Sequence, residues 1–153
     1  MNIVFLLLML TCSLNATQYL LPHNHHEATH YIAKSITDSN SSIVIVSDLL
    51  KSREIKKAIV KALKDGIEVE LITNNRETAA AFAIYKDLNP CLLQTSTLTY
   101  ALIQTSNSSC LSTTTLALEQ LRVNSGVVSC IDSNRIFDTI INTLKNECDL
   151  YLH

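Results

Sequence analysis

A continuous run of β-branched residues followed by an amphipathic helix constrains the fold of this chain most strongly. The run, residues 43–46, reads Ile-Val-Ile-Val and has the length of a strand buried on both faces of a parallel sheet. Ser52 can cap the next helix, whose apolar residues recur at helical spacing, and Gly66 can end it. A second strand follows over residues 67–72. This order predicts a βαβ unit with a right-handed crossover.

Shorter patterns predict elements on both sides of this unit. A strand should end at Pro22, which cannot donate a hydrogen bond to a neighbouring strand, and a helix should begin at about Glu27. After the unit, we expect a helix over residues 78–88, since the residue before Pro90 avoids helical angles. A short strand should follow at residues 91–93.

The last third of the chain predicts a hairpin and two helices. Strands over residues 98–104 and 109–111 are joined by a turn-rich segment, which indicates an antiparallel hairpin. Thr114 or Thr115 should cap a helix that runs through Val123 and is stopped by Gly126, before a strand over residues 127–131. Ser133 should cap the last helix. We expect one apolar face on that helix, formed by Ile136, Phe137, Ile140, Ile141 and Leu144.

Together these elements predict an α/β domain with a mixed, mainly parallel sheet flanked by helices. A chain of 153 residues is long enough for one domain and too short for two. Hydrophobic residues make up 47% of it and charged residues 17%, which favours a folded core over a disordered segment. The formal net charge of -2 argues against a general polyanion binder.

The first residues resemble an export signal. An apolar run over residues 3–10 is followed by small residues up to Ala16, which predicts a signal peptide over residues 1–16 and a mature domain over residues 17–153. The run is too short for a transmembrane helix, which needs about 20 apolar residues. We therefore expect an exported protein, periplasmic or secreted.

Four cysteines follow the predicted signal peptide, and no pair of them forms a Cys-x-x-Cys motif. An even number of cysteines in an exported chain indicates disulfides, and the spacing alone leaves three pairings open. Our hypothesis is one bridge between neighbouring strands and one at the end of the last helix. These bridges are Cys110 to Cys130 and Cys91 to Cys148.

The order of elements resembles the phospholipase D-like superfamily, in particular the small, exported, single-domain nucleases of bacteria. The likeness is carried by the Leu-Leu-Pro that ends the first strand, by Ser-Ser-Ile-Val-Ile-Val and by residues 55–72. It implies a phospholipase D-like half-domain. It also implies a His-x-Lys-(x)4-Asp motif on the hairpin, followed by Gly-Ser-x-Asn. In the family the histidine attacks phosphorus, the lysine holds the phosphate oxygens, and two motif copies meet across a dimer interface.

The motif residues are missing from this chain. The resemblance places the histidine position at Thr97, the lysine position at Thr99 and the aspartate position at Gln104 or Thr105. The Gly-Ser-x-Asn segment falls on residues 111–114, where only Ser112 matches. Residues 88–118 contain no Asp, Glu, Lys, Arg or His, and no His-x-Lys occurs in the chain. Uncharged side chains do not supply the cationic stabilisation that phosphodiester cleavage requires.

Four histidines, His23, His25, His26 and His30, lie between the first predicted strand and the first predicted helix. His26 and His30 are four residues apart, so they can share a helical face and bind zinc, copper or nickel. The alternative is a solvated segment that starts the helix, with Glu27 near the positive end of the helix dipole.

The helix after Ser52 is rich in basic residues, which can contact phosphate groups or anionic lipid. No aromatic residue alternates with them, and a solvated helix face is the favoured interpretation. The residues are Lys51, Arg53, Lys56, Lys57, Lys61 and Lys64.

We therefore expect an exported phospholipase D-like domain with a degenerate catalytic site, which acts as a binding or structural module without a cofactor. Two alternatives stay open. One is a phosphodiesterase or nuclease of the same superfamily that uses a histidine from residues 23–30, and the other is a metal-binding module built on the histidine cluster. The sequence does not identify a partner, and pairing with a second copy of the chain or with a related subunit stays open.

Overall fold

The computed structural model describes residues 16–150, apart from residues 89, 95, 96 and 134. The predicted signal peptide lies outside the described residues except for Ala16. The strands are β1 (Ala16–Leu21), β2 (Ile43–Ser47), β3 (Val69–Thr73), β4 (Cys91–Leu93), β5 (Ala101–Gln104), β6 (Ser109–Ser112), β7 (Gly126–Ile131) and β8 (Cys148–Leu150). The helices are α1 (His25–Thr37), α2 (Arg53–Lys64), α3 (Arg76–Ala83), α4 (Leu118–Val123) and α5 (Asp138–Lys145).

The strands form one mixed sheet flanked by helices, as predicted. Their order is β1-β7-β6-β5-β2-β3-β4-β8. The expectation of mainly parallel pairing is wrong, because only β2–β3 and β3–β4 pair in parallel and the other five pairings are antiparallel. The connection between β5 and β6 is short and permits only an antiparallel hairpin. This hairpin also pairs antiparallel with its neighbours, β2 on the side of β5 and β7 on the side of β6.

The predicted βαβ unit is present as β2, α2 and β3. All residues of β2 are buried, and Ile43 is the register partner of Val69 on the parallel strand β3. The Ser52 hydroxyl accepts a hydrogen bond from the Ile55 amide, which satisfies one free donor at the start of α2. Gly66 has a φ of 79°, the left-handed conformation that favours glycine after a helix.

The side chains of the sheet alternate between two cores. On one face Ile43 and Ile45 pack with residues of α1 and α2, such as Ile32 and Ile55. On the other face the neighbouring strand positions pack against two residues of α5, Ile141 and Leu144. Within the described residues, the second face therefore has a single helix cover, α5.

Two predicted helix caps are wrong. α4 begins at Leu118 without a side-chain cap, because the Thr114 amide bonds to the Ser112 hydroxyl and the loop continues non-helically to Ala117. α5 begins at Asp138 rather than after Ser133, whose carbonyl instead accepts a hydrogen bond from the Ser109 hydroxyl, 2.6 Å away.

The apolar face predicted for the last helix is also only partly correct. Ile141 and Leu144 are buried, whereas Ile136 and Ile140 are about half exposed, at 47% and 46%. The helix ends at Lys145, and Cys148 begins the short strand β8, which pairs antiparallel with β4 and was not predicted.

Both predicted disulfides are confirmed. Cys110 and Cys130 are directly opposite on β6 and β7, with Cα atoms 4.1 Å apart. Cys91 on β4 is bonded to Cys148 on β8, with Cα atoms 5.2 Å apart. Disulfides are typical of proteins in oxidising compartments. In the part of the chain that the structure covers, no helix is both long and apolar enough to span a bilayer.

Candidate functional site

The motif positions predicted from the resemblance are divided between two edges of the sheet. We call the edge at which β2 and β3 end the carboxyl edge, and the edge at which β2 begins the amino edge. β5 starts at the carboxyl edge, where Ala101 pairs with both Ser47 and Ser112. Gln104 pairs with Val44 at the amino edge. The sheet therefore places Ser112 at one edge and Gln104 at the other.

Uncharged side chains occupy the positions near the carboxyl edge that the resemblance assigns to the histidine and the lysine. Thr97 and Thr99 are exposed in the segment that precedes β5, whereas Ser112 is fully buried. The Ser47 hydroxyl, also buried, accepts a hydrogen bond from the Leu116 amide at 3.2 Å and donates to the Leu49 carbonyl at 2.9 Å. The Ser47 hydroxyl therefore fastens the loop after β6 to the end of β2.

Gln104 has a structural role at the amino edge. Its side chain is 7% exposed. Nε2 donates a hydrogen bond to Oδ1 of Asp138, 2.8 Å away, and Oε1 accepts one from the Phe137 amide, 3.0 Å away. An aspartate or glutamate carboxylate at this position cannot donate to Asp138 and repels it. The amide therefore holds the first turn of α5 against the sheet in a way that an acidic residue cannot.

This contact affects the titration of Asp138. The hydrogen bond from Gln104, together with Arg135, holds the pKa of Asp138 below its ordinary value of 3.8. A lowered pKa in the folded state stabilises the fold above pH 3.8, and that stabilisation is lost as the pH falls through the lowered value. We expect Gln104→Glu to raise the pKa of Asp138, so that the stabilisation is lost at a higher pH.

The carboxyl carbon shift of Asp138, followed by NMR during an acid titration, measures this change. Gln18→Glu, at an exposed position on β1, introduces the same charge away from Asp138 and should leave its pKa unchanged. An unchanged pKa in Gln104→Glu would contradict the assigned role of the amide.

The four histidines do not converge. Nδ1 of His25 donates to the Pro22 carbonyl, 2.9 Å away, and its ring stacks on that of His26. Nδ1 of His30 lies 3.1 Å from Oε1 of Glu54, and His23 is exposed. Among the described residues no three His, Cys, Asp or Glu side chains are placed to hold a metal ion. The geometry therefore does not support the metal-binding alternative.

One of the four, His26, contributes instead to a groove that the sequence did not indicate. Because β1 ends at the carboxyl edge, α1 begins there, and its first turn lies beside the start of α2. The groove has a volume of about 360 Å³, and its walls include His26, Arg53 and Lys57. An imidazole and two cationic side chains thus share one surface with the Glu54 carboxylate. Periodicity cannot reveal this, since the residues belong to two helices whose packing only the fold defines.

The basic residues of α2 lie mainly on its exposed side, opposite the buried stripe formed by Ile55 and Ile59. Several of them have partners. Lys61 pairs with Asp65 at 2.6 Å, Lys51 pairs with Glu77 at 3.3 Å, and Nζ of Lys56 lies 5.6 Å from the centre of the Phe82 ring. This is the solvated helix face that the sequence favoured.

No family model and no curated protein matches this chain. Solved structures do match its fold. NucT from Helicobacter pylori superposes with a TM-score of 0.76 at 17% identity, covering 89% of this chain and 98% of NucT. Nuc from Salmonella typhimurium, a phospholipase D family member, gives 0.74 at 14% identity, covering 90% and 98%. Phosphatidylserine synthase from Haemophilus influenzae gives 0.60 at 14% identity, covering 80% of this chain and 36% of the synthase.

The two bacterial proteins are matched over almost their whole length, so the similarity covers a complete domain and not a shared fragment. The resemblance noted in the sequence is thereby confirmed at the level of the fold. This chain has the phospholipase D-like fold.

Proposed function

We propose that the chain is an exported phospholipase D-like domain without phosphohistidine chemistry, which acts as a binding or structural module. The observation that carries this proposal is the composition of the carboxyl edge. Thr97, Thr99 and Ser112 stand there at the positions of the motif's histidine, lysine and serine, and two of the three are therefore replaced by neutral hydroxyls.

The size of the missing contribution supports this proposal. The transition state of phosphodiester cleavage concentrates negative charge, and losing one group that stabilises such charge slows catalysis by about 10²–10³-fold. Here both the nucleophile and its cationic neighbour are missing from their expected positions. At Gln104, one of the two positions assigned to the motif's aspartate, the amide Nε2 donates a hydrogen bond to Asp138, which an aspartate carboxylate cannot do.

Export is supported by two features. The apolar run over residues 3–10 precedes the domain, and four cysteines form two disulfides within it. Both are expected of a chain that folds outside the reducing cytosol.

The experiment measures phosphodiesterase activity with single-stranded DNA and bis(p-nitrophenyl) phosphate. We expect no turnover above the buffer rate for the purified, oxidised protein. A His26→Ala variant serves as a matched preparation, since a contaminating nuclease gives the same rate in both. Turnover in the original protein that is absent from His26→Ala would refute the proposal.

That outcome would establish a second candidate function, which the groove beside α2 specifically favours. In it, a ring nitrogen of His26 attacks phosphorus, the bond to the leaving oxygen breaks, and that oxygen takes a proton from water. A second water then hydrolyses the phosphohistidine. Arg53 and Lys57 are placed in the same groove to stabilise the charged oxygens.

Intact-mass measurement after a rapid quench distinguishes the two functions. With bis(p-nitrophenyl) phosphate, the second function transfers one p-nitrophenyl phosphoryl group to the protein, and p-nitrophenol leaves. This adduct is lost in His26→Ala and kept in His23→Ala, whose side chain lies outside the walls of this groove. The favoured function adds none to any variant.

A further inference from the structure

A polar cavity lies at the amino edge, away from both the motif positions at the carboxyl edge and the His26 groove. It has a volume of about 450 Å³ and is formed between α5 and the start of β2. Ligand sites commonly have volumes of about 300–1,000 Å³. The cavity is therefore large enough for a small molecule.

Its floor is a polar interruption of an otherwise apolar sheet face. Glu70 on β3 and Gln104 on β5 are the register partners of Val44 on β2, so these three side chains project from one face side by side. Further along the same face, Val46, Ile72 and Leu102 form part of a buried apolar cluster. Gln104 holds the first turn of α5, and Glu70 beside it is about one-third exposed. Both polar side chains therefore border the cavity and not the apolar core.

The charges of the cavity are balanced within its walls. Arg135 Nε donates to Oδ2 of Asp138 at 2.9 Å, and Nζ of Lys145 pairs with Oε2 of Glu70. Two cations thus face two carboxylates, and the lowered pKa of Asp138 keeps that carboxylate ionised. The cavity therefore has no net positive charge to attract a polyanion. A zwitterionic ligand would have to break one of the two ion pairs in order to bind.

Groups able to form hydrogen bonds with a ligand surround these ion pairs. Asn142 projects from α5, and Ser41, Ser42 and Ser106 line the wall formed by the loops. Arg135 has a φ of 63°, a left-handed conformation uncommon for a residue other than glycine. Such conformations concentrate at ligand sites, where the surrounding structure enforces them.

We propose that this cavity binds a neutral, polyhydroxylated ligand of the size of a monosaccharide or disaccharide. Carboxylates accept hydrogen bonds from sugar hydroxyls, and amide and cationic groups donate to them, so a wall of this composition matches their alternating donors and acceptors. The proposal shares Gln104 with the argument for the proposed function but uses none of the residues at the carboxyl edge, and it holds whether or not the domain is catalytic.

The experiment records amide NMR spectra of the oxidised, full domain during titration with glucose, galactose and N-acetylglucosamine, and separately with inorganic phosphate. We expect at least one of these sugars to shift the amides around Asn142 and Ser42, with a dissociation constant of about 1 mM or tighter. Phosphate should leave these amides unshifted.

Substitutions in the lining test whether the sugar binds in this cavity. Asn142→Ala should weaken the sugar response at least about tenfold, a change of about 1.4 kcal/mol. Ser42→Arg should abolish the response by filling the mouth of the cavity. Both positions are exposed, so the fold should persist, and the spectrum of each variant verifies this. Asn146→Ala, at the end of the same helix and outside the lining, is the matched control and should bind as the original does.

Three results would overturn the proposal. They are the absence of a shift with all three sugars, a sugar response that Asn142→Ala and Ser42→Arg leave intact, and a response at these amides to phosphate alone. These three results do not depend on whether the protein has phosphodiesterase activity.

Discussion

Removal of both disulfides is expected to unfold the domain at room temperature. The bridges join residues 57 and 20 positions apart, and closing loops of these lengths stabilises a folded state by about 4 and about 3 kcal/mol. The sum of about 7 kcal/mol compares with a total stability of about 5–15 kcal/mol for ordinary domains. The bridge from Cys91 to Cys148 should contribute more, because it also fastens β8, whose three residues provide little pairing of their own.

Urea unfolding followed by circular dichroism measures these contributions. We expect the pair Cys110→Ala and Cys130→Ala to lose about 3 kcal/mol, the pair Cys91→Ala and Cys148→Ala about 4 kcal/mol, and the quadruple variant to be unfolded without urea. Treating the original protein with a reductant should reproduce the quadruple variant. A reduced protein with an unchanged urea midpoint would show that packing alone maintains the fold.

Truncation of Phe82 should be the most damaging single substitution in the core. The ring is 1% exposed, belongs to the core between α1, α2 and the sheet, and lies 6.1 Å from the ring of Tyr85. Phe82→Ala removes a buried aromatic ring and leaves a cavity, which usually costs about 3–5 kcal/mol. The lost contact with the Lys56 ammonium adds to this, since a cation over an aromatic face is worth about 0.5–1 kcal/mol at exposed sites.

Ile84→Ala is the matched control for Phe82→Ala. Ile84 caps the C-terminal end of the same helix but is 73% exposed, so its truncation removes little buried surface. The urea midpoint of Ile84→Ala should stay close to that of the original protein, with a difference of about 0.5 kcal/mol or less. Equal losses in the two variants would mean that Phe82 is not in a close-packed environment.

The sequence predicts best where local pattern and final environment agree. β2 is a β-branched run buried on both faces, α2 has an apolar stripe between Ser52 and Gly66, and both appear as expected. In each case the structure is determined by residues close together in the sequence. For α2 these are a capping residue, apolar residues at helical spacing and a glycine in the left-handed conformation.

Prediction fails where a residue's partner is remote in the chain. β8 has only three residues and forms by pairing with β4, which lies more than 50 residues earlier in the chain. No local sequence pattern therefore predicts this strand. The threonines predicted to cap α4, Thr114 and Thr115, carry the side-chain chemistry of a cap, but Thr114 is bonded to Ser112 instead. Competition from tertiary contacts overrode the local signal.

The candidate sites divide in the same way. Uncharged residues at the motif positions are visible in the sequence, because that prediction needs only residue types. The His26 groove and the polar cavity were missed, because each combines residues from elements that the fold alone brings together. Glu70 in particular looks like the exposed position of an alternating strand, and its pairing with Lys145 depends on where α5 lies.

The two cross-links are nested, since residues 110 and 130 lie between residues 91 and 148. A protease that cuts once anywhere between Cys91 and Cys148 therefore yields fragments that stay covalently joined. Such a cut would be invisible on a gel run without reductant and would not release either end of the chain. For the exported protein that we propose, a backbone cut in the loops after β5 or β6 leaves all parts of the domain covalently connected.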